Sequence, residues 1–152
     1  MRVDTLKYSY VMNAEPSRVY QSLLDEQYKF FKRYQTSLTG LAVGTQISKV
    51  FQTKTQKVGV PGTITILQLI DKQLFQMETA YAAGTILQTY ELVEKVDGKT
   101  EVSYWERNSF IENRHQYSFM LIGLIYKLAY NKGIKKRLQY IEGLAQQKVL
   151  SH

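Results

Sequence analysis

Apolar and polar positions alternate from the start of the chain. Val3, Leu6, Tyr8, Tyr10 and Met12 recur near period two, as in a strand with one buried face. Asn13-Ala14-Glu15-Pro16 ends that pattern, and proline suits a first helical position because its missing N–H would have no partner there. Val19, Tyr20, Leu23 and Leu24 then fall on one helical face. Asp25-Glu26 reads as a break, and a second short helix over 27–34 carries Phe30, Phe31 and Tyr34. Gly40 and Gly44 bracket the passage into a long run of strand-like sequence at Thr45–Thr53, Thr63–Ile70, Leu74–Ala82, Thr85–Val96 and Thr100–Phe110. Pro61-Gly62, Asp71-Lys72, Ala83-Gly84 and Asp97-Gly98 read as the turns among them. No helical pattern interrupts the strands, which favours an antiparallel meander over parallel crossovers.

Asn113-Arg114-His115-Gln116 has the form of a capping box, and helix is expected from there to about Gln147. Its apolar stripe changes face midway. Tyr117, Leu121, Leu124, Ile125 and Leu128 form one row; Tyr130, Ile134, Leu138, Ile141 and Ala145 form another. Gly133 lies at the changeover, where a kink costs little. The expected fold is α+β: a curved antiparallel sheet of about six strands around a long C-terminal helix, with two short helices after the first strand. The 152 residues are expected to form one domain, 1–152, large enough for one core.

Charge adds one feature. The net charge is +7, and residues 113–152 hold nearly all of it, with Glu142 their only acid. Lys132, Lys135, Lys136 and Arg137 are therefore the candidate surface for an anionic membrane or an acidic protein. Twelve tyrosines sit beside this charge, yet they are scattered over every element and match no nucleic-acid motif. With no cysteine there is no disulfide, thiolate metal site or thiol nucleophile. No export signal is read at the N-terminus, and the longest apolar stretch, Phe119 to Tyr126, is too short to span a bilayer. A cytoplasmic location is the expectation.

Four stretches then carry a resemblance. The opening strand runs into Asn13-Ala14-Glu15-Pro16-Ser17-Arg18-Val19-Tyr20. Gly44-Thr45 leads on to Thr63-Ile64-Thr65-Ile66. Thr89-Tyr90-Glu91-Leu92 precedes Gly98-Lys99-Thr100-Glu101-Val102-Ser103-Tyr104. Leu124-Ile125-Tyr126 is followed by Lys135-Lys136-Arg137-Leu138 and Ile141-Glu142. In this order they resemble the START-like, polyketide-cyclase-like (SRPBCC, helix-grip) superfamily, and within it a small bacterial domain family of unknown function. The resemblance implies a helix-grip fold and a hydrophobic cavity. It implies no particular activity, because the superfamily includes carriers, cyclases, hydrolases, receptors and chaperone cofactors.

Reaction motifs are scarce. His115 and His152 are the only histidines, which leaves no internal pair for a histidine metal site. Gly40-Leu41-Ala42-Val43-Gly44 lacks the lysine and hydroxyl of a phosphate loop, and neither Gly-x-Ser-x-Gly nor a dinucleotide fingerprint is present. No metal or cofactor is expected. Period two puts Gln88, Tyr90 and Leu92 on one face of a strand, and Val102, Tyr104, Glu106 and Asn108 on one face of the next. If those faces point inward, Tyr90 and Tyr104 line a groove, and Glu106 is a carboxyl raised in pKa by its surroundings, a candidate acid or base. If they point outward, Trp105 is inside and Glu106 is in water; a one-residue slip exchanges the two outcomes.

The expected function is non-enzymatic binding of a small hydrophobic or amphipathic, lipid-like ligand between sheet and helix. Its expected lining is Met77, Tyr90, Tyr104, Leu121, Leu124 and Leu128. An enzyme of cyclase or hydrolase type using Glu106 is the alternative. A second alternative is an interaction module working through the basic helix.

Overall fold

The computed structural model describes residues 2–51, 60–82, 84–110 and 133–147. The elements run β1 (Arg2–Met12), α1 (Pro16–Tyr34), β2 (Gln46–Phe51), β3 (Val60–Ile70), β4 (Leu74–Tyr81), β5 (Gly84–Glu94) and β6 (Thr100–Phe110). A helix over 133–147, here α2, closes the described chain. The six strands form one antiparallel sheet in the order β1-β6-β5-β4-β3-β2. The chain has a helix-grip fold.

Alternation fixes which face is buried. Phe75 and Met77 on β4, Tyr90 and Leu92 on β5, and Val102, Tyr104 and Glu106 on β6 are all buried. Ile64 and Ile66 on β3 and Ile47 on β2 extend this concave floor. Trp105 takes the opposite face and is half-buried beside Thr89. The inward reading of the last two strands is therefore the one the protein adopts.

Both helices close over that floor. Val19, Tyr20, Leu23 and Phe31 on α1 are buried, and the Tyr20 hydroxyl donates to the Leu74 carbonyl at 2.8 Å. On α2, Ile134, Leu138, Ile141 and Ala145 are buried at helical spacing, as the second apolar row predicts. Glu142 fastens α2 to the end of β1. Its Oε1 accepts from the Tyr10 hydroxyl at 2.7 Å and its Oε2 from the Asn13 N–H at 2.6 Å. Gln146 Nε2 adds a bond to the Asn13 carbonyl at 3.2 Å.

Two local expectations need correction. One continuous helix, α1, stands where two short ones were expected. Asp25 and Glu26 do not break it because each is partnered along the helix: Gln21 Nε2 donates to Asp25 Oδ1 at 2.9 Å and Lys29 Nζ to Glu26 Oε1 at 3.2 Å. The buried stripe also passes that point without shifting face, from Tyr20 and Leu23 on to Phe31. Pro61-Gly62 is not a turn but part of β3. The β3–β4 ladder begins only at Gly62–Tyr81, so proline's missing N–H removes no rung from it. The turn at 96–98 does match: Asp97 at φ 65° and Gly98 at φ 71° both take the left-handed backbone its sequence favours. Within β3 the register slips between Ile66 and Gln68, a bulge that bends the strand. There the incoming loop is pinned, Gly44 N–H to the Ile66 carbonyl at 2.8 Å and Ile66 N–H to the Thr45 carbonyl at 2.9 Å. The expected turn residue Ala83 and the capping box at 113–116 lie outside the described residues.

Candidate functional site

Strand register assembles a polar cluster on the apolar floor. Tyr90 lies opposite Tyr104, and Gln88 opposite Glu106, across the β5–β6 ladder. Met77 on β4 is the next neighbour of Gln88, and Phe75 the next neighbour of Tyr90. The Tyr104 hydroxyl donates to Glu106 Oε1 at 2.7 Å. Gln88 Nε2 donates to the Tyr104 oxygen at 2.7 Å and to Glu106 Oε1 at 3.3 Å. From α2, Arg137 Nη1 donates to the Tyr90 hydroxyl oxygen at 3.3 Å. The Tyr90 and Tyr104 rings lie 4.6 Å apart between centroids, and Tyr90 meets Phe75 edge-on at 6.1 Å. Ile66 flanks the cluster on β3.

Burial sets the electrostatics. Glu106 is 6% exposed, and loss of water pushes its carboxyl above the ordinary carboxylate value. The bond from Gln88 and the Arg137 charge pull the other way without cancelling that push. Burial likewise raises the Tyr90 phenol, against the nearby Arg137. A carboxyl held by two donors, with an arginine near by, is chemically able to bind a polar group or to exchange a proton.

Met77, Tyr90, Tyr104 and Glu106 are thus neighbours in space. Leu121, Leu124, Leu128 and Lys132, and also His115, lie outside the described residues. Lys135, Lys136 and Arg137 are all exposed on α2, and the Arg137 side chain also reaches Tyr90. Two members of the cluster were not anticipated. Gln88 carried a signal, since it shares a face with Tyr90; its partner Glu106 depends on register. Arg137 carried none, because an arginine beside two lysines reads as solvated surface.

A separate open groove of about 750 Å³ lies at the β2 edge. Tyr34, Lys49, Val50, Pro61, Gly62 and Ala80 are among its walls. Lys49 Nζ sits 5.2 Å from the Phe30 ring centroid and 5.4 Å from that of Tyr34. Among the described residues, no helix is long and apolar enough to cross a membrane.

Known structures share the fold at low identity. A protein of unknown function from Staphylococcus aureus, SA2116, superposes with a TM-score of 0.68 at 12% identity, covering 98% of this chain and 97% of that one. The Zhui aromatase/cyclase from a Streptomyces species gives 0.66 at 9% identity, covering 97% and 96%. Ara h 8.0201 gives 0.54 at 10% identity, covering 99% and 100%. No curated protein matches the chain. A family model described as "Domain of unknown function (DUF3284)" matches residues 6–127, most of the sequence, and the chain belongs to that family.

Proposed function

We propose that the protein binds a small, largely apolar ligand on the concave face of the sheet, under α2, without transforming it. The observation that carries this reading is the Gln88–Tyr104–Glu106 cluster, buried within a floor of Ile66, Phe75, Met77, Leu92 and Val102. An apolar wall with a few convergent polar groups is the usual form of a small-molecule site. Leu121, Leu124 and Leu128 belong to the proposed lining along with Met77, Tyr90 and Tyr104. The helix-grip fold shared with an aromatase/cyclase supports a ligand-holding role and says nothing of the ligand.

Native mass spectrometry of freshly purified protein, followed by solvent extraction, tests the proposal. A stoichiometric apolar adduct is the expected result. A bare mass, together with no binding of the neutral fluorophore N-phenyl-1-naphthylamine, overturns it.

The buried carboxyl supports a second reading, in which Glu106 serves as an acid or base in a cyclase- or hydrolase-type reaction. Glu106→Gln would then abolish turnover and leave binding intact. Turnover that survives the substitution removes this reading.

A further inference from the structure

We infer that the ligand presents a neutral hydroxyl to Glu106, and that the same site turns carboxylates away. This rests on the binding role proposed above and specifies the chemistry of that site.

The argument is an inventory of hydrogen-bonding capacity. Gln88 Nε2 has two hydrogens, and its two bonds go to Tyr104 and Glu106. The Tyr104 hydrogen goes to Glu106 Oε1. Donors on this part of the floor are thus engaged within the cluster. Both bonds that Glu106 accepts fall on Oε1, and among the described residues Oε2 accepts none. The amide orientation follows from the same network: a carboxylate and a tyrosine oxygen already committed as donor to it both require the amide nitrogen, which turns the Gln88 carbonyl oxygen away from them. The cluster therefore offers acceptor capacity to a guest. Tyr90 supplies the complement, since its oxygen accepts from Arg137 and, among the described residues, no acceptor takes its own O–H hydrogen.

An alcohol or phenol both donates and accepts, and so matches the acceptor on Glu106 and has capacity left for the donor on Tyr90. A carboxylate has no hydrogen to give Glu106, and it brings a negative charge to a site where water is largely excluded. The Arg137 charge offsets part of that penalty, but a guest carboxylate still brings no hydrogen of its own to Oε2. An apolar chain without a polar end leaves Oε2 dry and unpaired, a cost of the same kind.

A matched series tests this. The intact protein is loaded with N-phenyl-1-naphthylamine at about pH 8, where decanoate is ionised, and titrated with 1-decanol, decanoate and decylamine. Decanol is expected to displace the probe at least about tenfold more effectively than decanoate. Glu106→Gln is expected to shrink that preference by raising the affinity for decanoate, since the amide carries no charge and offers a donor. Probe binding with decanoate equal to or better than decanol overturns the hydroxyl assignment while leaving the binding role standing. A clear preference for decylamine overturns it too, in favour of a cation. Failure of the probe to bind at all removes the binding role, and this inference with it.

Discussion

Glu142 holds α2 against the end of β1, and the strength of that attachment is open to measurement. Its carboxylate takes one short bond on each oxygen, from the Tyr10 hydroxyl and the Asn13 N–H. Hydrogen bonds to charged groups contribute roughly 1.5–3 kcal/mol when dry. The Tyr10 bond is only part-buried and the Asn13 bond is exposed, so about 1.5 and about 1 kcal/mol are suitable figures. Alanine recovers a few tenths of a kcal/mol in helix propensity. Glu142→Ala should therefore cost about 2 kcal/mol, or roughly 4–8 °C in Tm for a domain of this size. Tyr10→Phe should cost about 1–1.5 kcal/mol, and the double variant less than the sum, with a coupling of about 1 kcal/mol. Urea unfolding read from the single tryptophan, Trp105, gives all three numbers. pH supplies an internal control. The bond to Glu142 is the main reason the Tyr10 phenol lies above its ordinary value of 10.0. A raised folded value means the contribution is fully present below about pH 10 and is lost as pH climbs through the folded value. The gap between wild type and Tyr10→Phe should thus close in strong alkali. A coupling within about 0.3 kcal/mol of zero would refute the idea that this carboxylate anchors the helix.

Other consequences can be checked as directly. Glu106→Gln should gain stability relative to wild type as pH rises above about 4.5 and through the raised folded value, because the wild-type contribution fades over that window; chemical denaturation at several pH values would show a constant gap if burial of the carboxyl carried no penalty. Leu138→Ala, at a fully buried seat of α2, should cost about 2.5–4 kcal/mol by calorimetry or urea titration; a loss under about 1 kcal/mol would mean that α2 does not pack on the sheet. Gly98→Ala should cost about 1 kcal/mol for backbone strain alone, because the new methyl meets nothing nearer than Glu15 Cγ at 3.8 Å while φ is 71°. An unchanged Tm would show that this turn relaxes freely.

The sequence made the sheet legible and the site only half so. Alternation marks each strand whatever its partner, so Thr100–Phe110 could be delimited in full and Leu74 identified as the start of β4. Period two also placed Tyr104 and Glu106 on one side of β6. It could not say which side was inward, since nothing along a single strand distinguishes its two faces. Gln88 and Glu106 meet because β5 and β6 pair in one register out of several, a decision made across strands. The unbroken α1 was hidden for a different reason: Asp25-Glu26 has the local look of a terminus, and only its helical neighbours Gln21 and Lys29 reveal the support it receives. The contact from Arg137 to Tyr90 was not legible, because a charged side chain on a wet helix can bend its head back toward a buried phenol, a choice its sequence neighbours do not record.

The sheet order has a kinetic meaning as well. β2 to β5 each pair with their immediate successor, so each ladder can close soon after its second strand exists. β1 is different, because its one strand partner among the described residues is β6; Ser9 meets Ser103, 94 positions along the chain. During synthesis the first strand must wait, apolar face uncovered, until the rest of the meander has emerged. Distant contacts of this kind slow folding because loop-closure entropy is lost before the pairing compensates for it. The order of events is then meander first, with the β1–β6 seam and the α2 clasp formed last. A chaperone that shields the β1 segment on the ribosome should raise the yield of native protein more than one acting on the finished chain.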